Sequence, residues 1–307
     1  EVKINIFEGK KVIIERINIV GNSVTNDSVI RGEMIVDEGD PFSILLVNKS
    51  INELKARRIF GKVDYKMLPG SSDDMKVLEV SVEEKATGEI MAGAGVGTDG
   101  TTFQFAISEN NWLGRGIKLQ TALNLSREQV SGNLLINNPN YNFTNKSLKV
   151  GFDVSSTDRS SSSGYKSSRT GFNLGTAFEQ YEDIFIAPQI STYYESLSTN
   201  DNASKALKEQ EGSYFDTALN YSVVQDKRDR KFQPTEGYRA SFNQRLPLYS
   251  QTPSLLNGVD YTRYHAFSDS FIGSVRFYGR SISSLSDGDD VKLSERLNIP
   301  VRYLRGF

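Results

Sequence analysis

The chain has 307 residues and a formal net charge of -2, with 36 Lys and Arg against 38 Asp and Glu, so no surplus of positive charge points to nucleic acid. It has no Cys and a single His, His265, which excludes disulfides, thiolate metal sites and cysteine nucleophiles, gives zinc no second His or thiolate ligand, and leaves a histidine triad one candidate base only. Mean hydropathy is -0.42 and no apolar run reaches the roughly 18 residues of a membrane helix; a membrane β-barrel stays open, because its strands alternate lipid-facing with lumen-facing residues. In chain order, Val2, Ile4 and Ile6 alternate with Lys3, Asn5 and Phe7 before the turn Glu8-Gly9-Lys10. This is a strand with no partner nearby, and no signal peptide precedes it, so the start reads as a cut end. A strand over 17–20 follows, then a turn at Gly21-Asn22 and a short helix over 27–34 with Asn26 as N-cap. Glu38-Gly39-Asp40-Pro41 ends it. Over 43–56, Leu46, Val47, Ile51 and Leu54 recur at helical spacing, with Lys49, Lys55 and Arg57 expected toward water. Alternating strands over 63–68 and 77–82 are joined by Pro69-Gly70-Ser71-Ser72-Asp73-Asp74. The order strand, helix, helix, strand, strand makes residues 13–86 a small α+β domain able to bury its own core.

With Gly21-Asn22 after the first strand, Glu38-Gly39 between the helices and Ile59-Phe60-Gly61 entering the hairpin, this segment resembles a POTRA domain. Residues 1–12 then resemble the last strand of a preceding POTRA domain, which implies a tandem array.

From residue 87 the pattern changes to long alternating strands. Phe103, Phe105 and Ile107 alternate with Gln104, Ala106 and Ser108; Leu148, Val150, Phe152 and Val154 alternate with Lys149, Gly151, Asp153 and Ser155. Similar runs hold Ile117, Leu119, Leu123 and Leu125, then Phe172, Leu174 and Phe178, then Phe215, Leu219, Tyr221 and Val223. Soluble sandwich strands average five or six residues, whereas these approach the ten or so that cross a bilayer when tilted. About eleven such strands are predicted up to Ser283. Short turns are expected after Leu125 and Phe178, and longer polar loops over 156–163 and 198–209. The first strand, Glu89-Ile90-Met91-Ala92-Gly93-Ala94-Gly95-Val96-Gly97, places glycine on every second position near its end. Glycine loses the most backbone entropy and packs no side chain, so this strand is expected to pair weakly and to present a free edge away from Phe103.

Three motifs carry a second resemblance: Asn111-Trp112-Leu113-Gly114-Arg115-Gly116, then Asp229-Arg230-Lys231-Phe232-Gln233-Pro234-Thr235-Glu236-Gly237-Tyr238, then Leu304-Arg305-Gly306-Phe307. In this order, behind a POTRA-like segment, they resemble the Omp85 superfamily, most closely its BamA branch of outer-membrane assembly factors. The resemblance implies an antiparallel transmembrane β-barrel over 87–307, truncated after about eleven of about sixteen strands and ending within the Arg-Gly-Phe loop. It further implies that Arg305, Gly306 and Phe307 fold into the lumen. The function implied is insertion of β-barrel precursors into the outer membrane, with residues 89–97 as the templating edge for a client strand. The POTRA domain would dock in the periplasm. The partners implied are unfolded precursors, accessory assembly lipoproteins and outer-membrane lipid, with no nucleic acid.

No residue set suggests an enzyme, a cofactor or a metal. Gly93-Ala94-Gly95-Val96-Gly97 lacks the following helix and Lys-Ser/Thr pair of a phosphate loop. His265 is expected to be structural. Arg239, Arg245, Arg276 and Arg280 are expected inside the barrel, packing an inward loop rather than holding an anionic solute. The alternatives are a polypeptide secretion pore of the two-partner type and a passive solute porin, the latter leaving the POTRA-like domain without a role.

Overall fold

The structure, a computed structural model, describes residues 11–97, 100–268, 271–286, 291–292 and 295–297. The first compact element group is an α/β domain: β1 (Ile13–Val20), α1 (Asp27–Arg31), α2 (Ile44–Ala56), β2 (Phe60–Pro69) and β3 (Met75–Glu84). The sheet order is β1-β3-β2, with β3 parallel to β1 and antiparallel to β2. A parallel pair needs a crossover, and the two helices supply it. They cover one sheet face and close a core of Ile14, Ile17, Ile30, Val36, Val47, Ile51, Leu54, Ile59, Val63, Leu78 and Val80. Each such side chain contributes about 1.5–3 kcal/mol on burial. Gly21 shows why the first turn carries glycine: its φ is +94°, and a Cβ there would overlap the Val82 carbonyl.

Four local expectations change. α1 stops at Arg31 rather than reaching Met34, because Gly32 follows and the N–H groups of Glu33 and Met34 turn back to Ile30 and Arg31 carbonyls. The buried stripe of α2 is Val47, Ser50, Ile51 and Leu54, while Leu46 is 41% exposed. Ser50 is accepted inside because its hydroxyl donates to the Leu46 carbonyl at 2.9 Å and accepts from the Ile35 N–H at 2.8 Å. Arg57, expected toward water, is mostly buried and pairs with Glu33 at 3.3 Å. Asn26 stands at the N-cap of α1, yet its side chain makes no cap hydrogen bond.

Eleven strands follow: β4 (Gly88–Gly97), β5 (Gly100–Trp112), β6 (Ile117–Ser126), β7 (Gln129–Asn138), β8 (Ser147–Arg159), β9 (Tyr165–Tyr181), β10 (Ile184–Thr199), β11 (Gly212–Asp226), β12 (Gly237–Tyr249), β13 (Ser254–Ser268) and β14 (Phe271–Ser284). They form one sheet in strict chain order, from β4 at one end to β14 at the other. Register fixes its two faces, since side chains alternate with a period of two. Val150, Leu174, Ile190, Leu219 and Leu246 make one row across five strands. Asn133, Asp153, Gly171, Tyr193 and Asp216 make a row on the opposite face. The apolar face stays largely open, with Phe152, Phe172, Leu174, Ile190 and Phe215 all exposed. So large an open apolar face marks a lipid surface. No helix among the described residues is long and apolar enough to cross a membrane.

The expected split between short turns and long loops is not found. At the end where β4 begins, the described connections are 113–116, 139–146, 182–183 and 227–236; at the other end they are 127–128, 160–164, 200–211 and 250–253. Long and short connections thus occur at both ends. The loop expected over 156–163 shrinks because β8 runs on to Arg159, pairing through to Tyr165 of β9. Backbone pairing accepts serine and threonine as readily as apolar residues, so polar sequence hid the strand ends.

Candidate functional site: the terminal strand and the polar wall

Residues 89–97 lie in β4, the terminal strand of the sheet, whose neighbour is β5. Its other side offers a row of backbone N–H and C=O groups with no strand against them among the described residues. Ile90 and Val96 are 81% and 87% exposed. A Cβ at Gly93 would meet nothing within 4 Å, while one at Gly95 would sit 3.2 Å from the Thr102 hydroxyl oxygen. Gly93 is therefore not demanded by crowding, whereas a Cβ at Gly95 would press on Thr102. A glycine inside a strand costs roughly 0.5–1 kcal/mol relative to Ala. The opposite terminal strand, β14, carries bulky side chains instead, with Val275 and Phe277 exposed.

The polar face receives a segment of the chain from beyond β14. Lys292 lies 2.8 Å from Asp216, and the two are 6% and 2% exposed. Asp216 also accepts from the Ser250 hydroxyl, and the Lys292 ammonium stands 4.1 Å over the Tyr214 ring. Three residues on, Glu295 pairs with Arg245 at 2.6 Å and accepts from the Ser254 hydroxyl at 2.6 Å. Arg245 also donates to the Tyr193 hydroxyl, whose ring lies 3.9 Å under the Arg169 guanidinium. These groups border a polar recess of about 400 Å³ that also holds Asp153, Asn173, Gln189 and Asn220.

Register places Arg239, Arg245, Arg276 and Arg280 on this face. Arg245 meets the incoming segment, as expected. Arg276 and Arg280 close on Asp260 at 3.1 and 2.6 Å. Arg305, Gly306 and Phe307, expected to fold inward, lie outside the described residues, as does the strand over 1–10. Sequence reasoning missed Asp216, Lys292 and Glu295. The available signal was an Asp inside an alternating strand, which says that a charge is buried without saying what meets it. His265 packs edge-on against Phe267 at 4.9 Å. No group of three metal-ligating side chains occurs among the described residues.

The second motif is a self-contained turn. Asp229 accepts from the Thr235 N–H at 2.9 Å, its hydroxyl at 2.7 Å and the Glu236 N–H at 3.1 Å. These bonds, the Thr235 hydroxyl foremost, hold its carboxyl well below the usual range. The first motif forms the β5–β6 turn and packs within the same compact unit as the α/β domain.

A small α/β domain followed by a long antiparallel sheet, apolar on one face and polar on the other, is the build of an outer-membrane β-strand protein with a periplasmic domain. The comparisons agree. Residues 111–307 match the Omp85 superfamily domain and residues 12–85 match the POTRA family, described as surface antigen variable number repeat. The chain belongs to the Omp85 superfamily. It is 26% identical to the outer membrane protein assembly factor BamA of Nitratidesulfovibrio vulgaris, over 97% of this chain and 38% of that protein. With BamA of Neisseria meningitidis serogroup B it shares 24% identity, over 80% of this chain and 33% of the relative. It thus spans about two fifths or less of the length of these relatives. Among solved structures, BamA from Haemophilus ducreyi lacking POTRA domains 1–3 superposes with a TM-score of 0.72 at 21% identity, covering 90% of this chain and 56% of that one. CdiB from Acinetobacter baumannii gives 0.55 at 12% identity, covering 90% and 53%. Both likenesses bear on the fold. The family and fold place the sheet in the bacterial outer membrane and the POTRA domain in the periplasm.

Proposed function

We propose that this chain assembles β-barrel precursors into the outer membrane by offering the edge of β4 as a template. The observation that carries the reading is a glycine-rich terminal strand on a lipid-facing sheet, joined directly to a POTRA domain. A precursor entering a bilayer must satisfy every backbone N–H and C=O, and each one left unmade costs several kcal/mol. An open strand edge supplies those partners by strand addition. The polar edge of β4 is then where a client strand first pairs, while its side chains reach lipid. The similarity to the outer membrane protein assembly factors of Nitratidesulfovibrio vulgaris and Neisseria meningitidis supports the reading. Accessory lipoproteins would bind through the POTRA domain. The reaction uses no enzyme chemistry and no cofactor; client folding and lipid burial drive it.

The test is single-cysteine scanning along 89–97 in the full-length protein, with crosslinking to a stalled precursor carrying its own cysteine. Crosslinks at alternate positions of β4 are expected. Crosslinks confined to the polar face, around Asn173 or Gln189, would sink the templating reading and bring forward a polypeptide secretion pore, the reading that the CdiB-like fold keeps in view.

A further inference from the structure

The β5–β6 turn, Asn111 to Gly116, meets the α/β domain through polar groups that match one to one. Asn111 is 8% exposed and uses both ends of its amide: Nδ2 donates to the Thr25 Oγ1 at 2.8 Å, and Oδ1 accepts from the Gly116 N–H at 2.8 Å. The Asn26 N–H donates to the Gly114 carbonyl at 2.9 Å. Arg57 Nη2 donates to the Gly116 carbonyl at 2.7 Å, while its Nη1 stays 3.3 Å from Glu33. The turn is shaped for this contact. Gly114 and Gly116 have φ of +68° and +63°, and side chains there would overlap the Val24 carbonyl and the Arg57 guanidinium respectively. The receiving loop is itself fixed, since Glu84 accepts from the Thr25 N–H at 2.5 Å, the Val24 N–H at 2.8 Å and the Ser23 hydroxyl at 2.8 Å. Buried polar groups satisfied on both sides make a specific contact, because separating them strands each one.

We propose that Asn111 is a positioning residue that makes this turn a fixed joint, so that the α/β domain and the β5–β6 turn, which share one compact unit, move as one body while a client strand is added at β4. The proposal rests on the assembly reading above and deepens it: the motif Asn111-Trp112-Leu113-Gly114-Arg115-Gly116 is a mount for the edge rather than a free turn. A free turn would move independently of the α/β domain; a mounted one follows every displacement of it.

The full-length protein in lipid vesicles decides this with two readouts. In Asn111→Ala, hydrogen exchange at the Gly116 and Asn26 amides should rise about tenfold, the factor for losing one or two buried hydrogen bonds, while exchange at the core amide of Leu78 stays unchanged. Unchanged exchange at Gly116 and Asn26 overturns the joint. The second readout is insertion of an unfolded β-barrel precursor. The pair Thr25→Cys and Asn111→Cys, with any cysteine outside these 307 residues replaced, should insert several-fold more slowly when left unlinked. It should regain the wild-type rate when a short bis-thiol alkylator joins the two cysteines, each single-cysteine variant treated alike serving as the control. Rescue by the link shows that holding, not folding, is what Asn111 supplies. If the linked pair stays slow while the treated single variants are unharmed, the fixed-joint proposal falls. If the wild-type protein inserts no precursor at all, the assembly reading falls, and the exchange at Gly116 and Asn26 still decides the joint.

Discussion

Asp216→Asn is the sharpest probe of how the segment around 291–297 is held on the polar face. In the structure the Asp216 carboxylate is almost fully buried and compensates the equally buried Lys292 ammonium at 2.8 Å, with the Ser250 hydroxyl as its second donor. Asparagine keeps the shape but removes the charge, so Lys292 is left with the Tyr214 ring alone, which is present in both cases. Removing one partner from a buried pair costs about 3–5 kcal/mol. Taking the lower bound of about 3 kcal/mol, the balance between wall-bound and released segment shifts about 100-fold. Trypsin cleaves after Lys292 and Arg296, so the released state is directly cut. Cleavage tracks the open population when closing is faster than cutting. The expected result is cleavage at Lys292 and Arg296 about 100-fold faster in Asp216→Asn, with sites in the α/β domain unchanged. The swap Asp216→Lys with Lys292→Asp, which removes the site at 292, should restore part of the protection at Arg296. An unchanged cleavage rate in Asp216→Asn would refute the reasoning, because the buried charge would then have another partner or the segment would be held by Glu295 and Arg245 alone.

Residues 13–86 expressed alone should unfold in one cooperative transition, and Leu54→Ala there should lower stability by about 2–5 kcal/mol, since Leu54 is fully buried among Ile30, Val47 and Ile51; a loss under about 1 kcal/mol by urea melt would contradict that packing. Glu84 gives the same domain an acid dependence. Burial opposes its charge, but hydrogen bonds from Thr25, Ser23 and the Val24 N–H outweigh this and bring its pKa down to about 2. A depressed carboxyl adds stability that is full above its unfolded value near 4.5 and fades as pH falls toward 2. Glu84→Gln should flatten that part of the pH profile in thermal melts, and an unaltered profile would remove Glu84 from the account. Gly93→Val should leave the sheet intact, because its Cβ would meet open space, yet slow precursor insertion a few-fold by stiffening β4; an equal or faster rate in the vesicle assay would count against a yielding edge.

Periodicity in the sequence was enough to read the strand–helix–helix–strand–strand order, the eleven long strands and the lipid face. A face that must meet either water or hydrocarbon writes itself into every second or every third and fourth residue, with no knowledge of partners. The glycine run likewise announced a thin strand at 89–97. What no period records is which polar group meets which. Arg57 has the spacing of a solvent-facing residue on α2, yet its guanidinium turns inward because Glu33 and the Gly116 carbonyl, far off in sequence, offer it partners. Ser156 to Thr157 read as loop because serine and threonine carry no apolar signal, though their backbones pair with β9 as fully as any valine. Asn111, Gly114 and Gly116 were visible as a motif, but their reason was not, since it lies in the Val24–Asn26 loop almost ninety residues away. Asp216, Lys292 and Glu295 were ordinary charges until the fold brought them together. Burial pattern is a property of one segment and its solvent, so the chain itself determines it. A buried hydrogen bond or ion pair belongs to two segments at once, and only the tertiary structure decides it.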